Sequence, residues 1–167
     1  MTAEANFSLG IYDRRTILWS WLFPLSYVIH IAEEYWGGEG YPAYLLRLRG
    51  VHMSTARFLA AQSVGLILVT IGVVLARRLK FLPMMLVILG TMVAGNALTH
   101  TVNALSIHQY GPGLFSSIFI WGPLGIATML RFKRAIDDQR QYWIAIAIGV
   151  AINIVIGILT MRGGRVT

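Results

Sequence analysis

The sequence predicts an all-α protein, a polytopic bundle of transmembrane helices, and three observations carry the prediction. Of 167 residues, 56% are hydrophobic and only 13% charged, about half the charge of a typical soluble domain at roughly 25%. The mean hydropathy is +0.65, whereas a chain of about 150 residues buries only around 70% of its unfolded surface, so much of this apolar material must face lipid. Finally, the charges fall between apolar runs, so the net charge of +7 reads as membrane flanking and not as a nucleic-acid stripe. The same composition excludes intrinsic disorder. The absence of cysteine excludes a disulfide scaffold, a thiolate metal site, an iron–sulfur cluster and a cysteine nucleophile.

About 20 apolar residues cross the hydrocarbon. On that measure five spans are read, at 16–36, 58–76, 81–107, 114–130 and 142–161, with four as the fallback, in a single transmembrane domain over residues 1–167. The first run is too long for a signal-peptide core and follows a mixed, acidic start at residues 1–12, so it is expected to stay in the protein. The third is long and carries several polar positions, and is expected to bend first; the fourth is the shortest and holds Pro123. Between the first two spans, residues 37–57 alternate leucine with arginine, which suggests a short amphipathic or re-entrant segment at the interface. Tyr110-Gly111-Pro112-Gly113 marks a sharp turn before the fourth span.

Lysines and arginines give the orientation. Nine of them (Arg14, Arg15, Arg77, Arg78, Lys80, Arg131, Lys133, Arg134, Arg140) fall on one side and five (Arg47, Arg49, Arg57, Arg162, Arg165) on the other, which puts the N-terminus in the cytoplasm. Trp19, Trp21, Trp36, Trp121 and Trp143 read as an aromatic belt. Gly65 and Gly72 of the second span, with Gly90 and Gly95 of the third, read as close helix packing.

The polar residues inside these spans are the informative ones. His30, Glu33 and Glu34 stand at i, i+3 and i+4, one face about 100° wide. Asn96, Thr99, His100 and Asn103 form a second stripe. Gln62, Ser63, Ser116, Ser117 and His108 are expected at the same, outer, end of the bundle. A charged group at mid-membrane costs about 2.5–3.5 kcal/mol on insertion scales, and glutamates near a helix C-terminus are further opposed by the helix dipole. The glutamates therefore need a partner: a metal cation, an arginine such as Arg47, Arg49 or Arg57, or protons. Simple helix–helix hydrogen bonding is the bland alternative for any one of these residues. His52, in the basic outer loop, is expected to be solvated.

His30-Ile-Ala-Glu33-Glu34 resembles the signature of the HXXEE family, a group of small bacterial membrane proteins. Asn96-Ala-Leu-Thr-His100 is similar to its N-x-x-x-H motif, and Tyr110-Gly-Pro112-Gly113 to the tail of a third. Where that third motif has a histidine four residues before the tyrosine, this chain has Ser106, and His108 stands two before it. The resemblance implies a multi-pass protein of the bacterial cytoplasmic (inner) membrane. The family's name records a motif and no chemistry, so function must come from the site.

Three readings follow. In the first, an intramembrane enzyme holds zinc or iron through His30, His100 and a glutamate, with His108 available to complete the site. The other of Glu33 and Glu34 serves as acid or base, and Asn96 holds a carbonyl or orients a ligand. The substrate is a lipophilic small molecule entering from the bilayer; nucleic acid is not expected as a partner, and self-association is allowed. In the second, the same residues run metal-free acid–base isomerisation or cyclisation of an isoprenoid-like substrate. The third is a small transporter, channel subunit or cation sensor, which needs polar residues continuing to the cytoplasmic side.

Overall fold

The computed structural model describes residues 12–136 and 138–162. Residues 1–11 and Arg165, which entered the reading of the N-terminus and of orientation, lie outside them. The described residues form helices and connecting turns, with no strand.

Helix α1 (Arg14–Trp36) starts on Asp13, whose carboxylate accepts the Thr16 N–H at 2.9 Å, satisfying one of the donors every helix start leaves open. It runs through Pro24 and ends where the Gly37 N–H returns to the Glu33 carbonyl at 2.7 Å. Helix α2 (Tyr41–Arg49) has Pro42 in its first turn and stops at Gly50, φ 62°. This short helix occupies the middle of the segment expected at the interface. Helix α3 (Thr55–Arg78) is capped by Ser54, and α4 (Leu82–Ile107) carries Pro83 in its first turn. Proline fits there because its missing N–H has no intrahelical partner to lose.

Helix α5 (Leu114–Lys133) starts at Gly113, φ 87°, and widens into a π-helical turn over Ser117–Trp121. The cause is Pro123, which offers no N–H to the Phe119 carbonyl and crowds it; the Gly122 N–H reaches back five residues to the Ser117 carbonyl. The third span was expected to bend first, yet α4 is one unbroken helix of 26 residues. Its polar side chains do not disturb the backbone ladder, whereas one proline in α5 does. Helix α6 (Gln139–Met161) is capped by Asp138.

Helix α4 is the hub. Half of its apolar window is buried, against 17% of α3's and 11% of α6's. Its glycines, read from the sequence as permitting close packing, serve α5 and α6. A Cβ on Gly125 of α5 would stand 2.5 Å from the Gly90 carbonyl oxygen, and one on Gly95 would strike the Asn153 amide of α6. Gly72 of α3 does meet α4, at Met85, while Gly65 lies against the Tyr27 hydroxyl of α1.

Four helices, α3 to α6, are long and apolar enough to cross a membrane, which makes this a multi-pass membrane protein. Large side chains such as Leu68, Phe119, Leu130 and Ile154 stand exposed on their outer faces, where lipid replaces water as the solvent. Helix α1 has the length but a lower hydropathy, because Ser20, Ser26, His30, Glu33 and Glu34 interrupt it.

Candidate metal centre

The polar stripes of α1 and α4 meet at the end of the bundle where α2 lies. His30 is 2% exposed and Glu34 3%, so bulk solvent does not reach them. His30 Nε2 lies 3.6 Å from Glu34 Oε1, and His100 Nε2 lies 3.5 Å from the same oxygen. The two imidazoles meet edge to face, centroids 5.1 Å apart. One ligating atom from each of His30, Glu34 and His100 falls within 4.8 Å of the others, a grouping that could hold a metal ion.

Outer partners orient each member. The Gln62 amide of α3 donates to Glu34 Oε2 at 2.5 Å, and the Tyr27 hydroxyl donates to Gln62 Oε1 at 2.9 Å. His30 Nδ1 is 2.8 Å from Ser116 Oγ, and the Ser116 hydroxyl donates to the Gly113 carbonyl at 3.2 Å. Trp121 stacks on the His30 ring at 3.7 Å and donates its indole N–H to Ser26 Oγ at 3.2 Å. Gly113 forms the roof: a Cβ there would stand 2.8 Å from His30 Cε1, 2.9 Å from His100 Cε1 and 3.0 Å from Glu34 Cγ. Tyr41 of α2 packs over His100 at 6.3 Å between ring centroids; burial pushes its phenol well above the ordinary range, so it stays neutral there.

Glu33 does not join this group. Its Oε1 accepts the Tyr110 hydroxyl at 2.9 Å and the Phe115 N–H at 2.8 Å, and its Oε2 accepts the Ser116 N–H at 2.6 Å. The helix offset explains the separation: consecutive residues diverge by about 100°, so Glu34 shares the face of His30 while Glu33 turns towards the start of α5. Burial and the bond to Glu33 push the Tyr110 phenol up to about 12, which keeps it a donor.

His108 also stays outside. It ends α4 in the left-handed conformation, φ 51°, and is exposed, because its backbone is used to close the helix. Asn96 sits one turn below His100; among the described residues its Oδ1 is buried with no partner, as is Ser117 Oγ, and a buried unpaired atom of this kind costs about 1–3 kcal/mol.

The arginines considered as partners for the glutamates go elsewhere. Arg47 binds Glu39 at 2.6 Å and Gln109 at 3.1 Å, and Arg49 binds Asn103 at 3.2 Å; Arg57 and Ser63 are exposed. His52 is exposed as expected. Trp121, read as part of the aromatic belt, is instead 3% exposed.

Sequence reasoning brought Gln62 and Ser116 to the right end of the bundle without assigning them a contact, and missed Tyr27, Tyr41 and Gly113 as parts of the site. The turn motif was the available signal, because only glycine fits where a backbone touches two rings.

No curated protein and no solved structure matches the chain. The profile of a family described as a protein of unknown function with HXXEE motif matches residues 21–128, a stretch that contains His30, Glu33, Glu34, Gln62, Asn96, His100 and the 110–113 turn. The chain belongs to the HXXEE family.

Proposed function

We propose that the protein is an integral membrane enzyme that holds one divalent cation, zinc or iron, between His30, Glu34 and His100, and hydrolyses or otherwise modifies a lipophilic substrate. One observation carries the reading. Two imidazole Nε2 atoms converge on a single carboxylate oxygen at 3.6 and 3.5 Å, too far for charge-assisted hydrogen bonds of about 2.7–2.9 Å. Two donors held tetrahedrally at 2.0–2.1 Å from zinc stand about 3.3–3.4 Å apart. Three protein ligands leave a coordination position open, the pattern of catalytic sites.

A bound ion would supply Lewis acidity towards a substrate oxygen. The remaining work belongs to the chain. Gln62, backed by Tyr27, aims Glu34, and Ser116 aims His30. With Glu33 committed to α5, Glu34 is the carboxylate left at the centre, a ligand in this reading and the acid or base in the metal-free one. The unpartnered Oδ1 of Asn96 is suited to accept a donor from the substrate or from an ordered water. Gly113, Trp121 and Tyr41 exclude bulk water.

The surroundings favour a lipophilic substrate. Between α4 and α5, a groove of about 370 Å³ is lined mainly by apolar side chains including Leu105, Leu114 and Ile118; it reaches Tyr110 and Phe115, the partners of Glu33, and not the three proposed ligands themselves. Polar groups deeper in the bundle serve packing, as between Trp19 and Thr128, which favours a pocket open at one end over an ion path. At 1.5 Å per residue the 23 residues of α1 reach about 35 Å, enough for it to act as a fifth span. With the N-terminus in the cytoplasm of a bacterium, the site faces the outer leaflet of the inner membrane.

Elemental analysis of protein purified without chelator tests the reading. Near-stoichiometric zinc or iron is expected in the wild type, and background levels in Glu34→Gln and His100→Ala of unchanged helix content. Full metal content in either variant removes that residue from the centre. A wild type free of metal under mild handling favours the acid–base reading, which uses the same residues.

A further inference from the structure

We infer that α2 is a hinged cover over the centre: it turns on the glycines at its two ends, carries Tyr41 off the His100 ring, and so opens the way by which molecules reach His30, Glu34 and His100. The motion itself needs no metal; its use as the entrance rests on the functional reading above.

Both ends of α2 are built to turn. The chain enters it through Gly38 at φ 58° and Gly40 at φ 77°, and leaves through Gly50 at φ 62°. Gly40 pairs that φ with a ψ of 148°, a combination open in practice to glycine alone. A Cβ on Gly50 would meet nothing within 4 Å, so the backbone angle, and not crowding, calls for glycine there. Joints of this kind at the ends of an element are where large changes of φ and ψ are absorbed.

Between the joints α2 has an apolar underside and a polar latch. Tyr44 and Leu45 are buried, and the Tyr44 hydroxyl lies where a Cβ on Gly111 would stand 2.8 Å from it. The Tyr41 ring lies 5.9 Å from that of Phe58, buried at the start of α3, and 6.3 Å from that of His100. The latch consists of two exposed bonds, from Arg47 to Gln109 at 3.1 Å and from Arg49 to Asn103 at 3.2 Å. The pair of Arg47 with Glu39 stays within the covering segment. Exposed polar pairs hold weakly.

The other walls of the centre are fastened. Glu33 ties α1 to Tyr110 and to the first turn of α5 through three bonds, Gln62 ties α3 to Glu34, and α4 is half buried in its neighbours. Of the elements around the three ligands, α2 therefore has the weakest attachment. Its displacement uncovers His100 first, because Tyr41 rests on that ring.

The chain has no cysteine, so an engineered thiol reports alone. In lipid nanodiscs, Phe58→Cys, beneath Tyr41, should react with N-ethylmaleimide more slowly than Leu46→Cys on the exposed side of α2. Replacing both latch residues, Arg47→Ala with Arg49→Ala, should speed the Phe58→Cys reaction about two- to five-fold. In Arg47→Cys with Gln109→Cys, joining the two exposed thiols by a short bis-maleimide should lock the cover and abolish subsequent labelling of Phe58→Cys. The same lock should slow cobalt uptake and its removal by chelator, with the visible band of the bound ion unchanged.

Labelling of Phe58→Cys that the lock does not suppress overturns the inference, as does a rate that loss of the latch leaves unaltered, or a thiol that never reacts. If Phe58→Cys does not fold, Leu45→Cys on the underside of α2 takes its place with the same expectations. Cobalt uptake equally fast in locked and unlinked protein overturns the entrance. Suppressed labelling in a protein that binds no cobalt removes the metal reading and leaves the cover standing.

Discussion

In the half of the bundle away from α2, polar side chains bond to their own helix or the nearest neighbour. Thr91 donates to the Val87 carbonyl at 2.9 Å, Thr128 donates to Leu124 and accepts Trp19 at 2.8 Å, and Asn153 donates to the Met92 carbonyl at 3.1 Å. At the α2 end such local bonds persist, as from Thr101 to the Ala97 carbonyl at 2.8 Å, but a second pattern joins them. Side chains from α1, α3, α4 and α5 converge, His30 and His100 face one oxygen at more than hydrogen-bond length, and Asn96 and Ser117 keep unpartnered atoms. In lipid a polar group must be satisfied within the protein. Where the bonds close locally the group serves as packing; where they stay open, the polar atoms are the ones on which the proposed binding site is built.

The largest effect that would break this contrast is expected from Gly113→Ala. The new Cβ meets both imidazoles and Glu34 within 3.0 Å, at a φ of 87° that disfavours a side chain. Cobalt affinity should fall by at least about 100-fold, more than the loss of an outer partner causes. Retained affinity would show that the roof can move away. Gln62→Leu comes next: it removes the donor to Glu34 while roughly keeping volume, and affinity should fall by about 10–100-fold with the thermal midpoint little changed. An unchanged affinity would show that Glu34 is held without α3.

The smallest effect belongs to the other half. Asn153→Leu removes a bridge from α6 to α4, and such interhelical bonds average about 0.6 kcal/mol. A small fall in the denaturation midpoint is expected with metal content unaltered; a change in metal content would show that the two halves are coupled.

The site was legible in the sequence as far as helical period could carry it. His30, Glu33 and Glu34 share one face and His100 lies on a second polar stripe, so all four candidates stood out against apolar surroundings. Period alone could not separate Glu33 from Glu34, because both fall within one face about 100° wide, and the bonds that separate them come from Phe115 and Ser116, 82 and 83 residues away in the chain. His108 looked available because the turn places it at the right end; its backbone conformation directs it outward. The spans were legible as apolar runs. The destination of the glycines in α4 was not, since small residues permit close approach without naming the partner.

The widened turn in α5 has a rotational consequence. Twelve residues separate Gly113 from Gly125, and in an uninterrupted α-helix they would point about 120° apart. The π turn at Ser117–Trp121 absorbs one extra residue, which brings the two to within about 20° of each other. Gly113 can therefore touch His100 while Gly125 sits against Gly90, both on α4. Pro123 thus acts as a phase shifter: the widened turn before it lets a single helix press the His100-bearing part of α4 and the packing part of α4 with the same side.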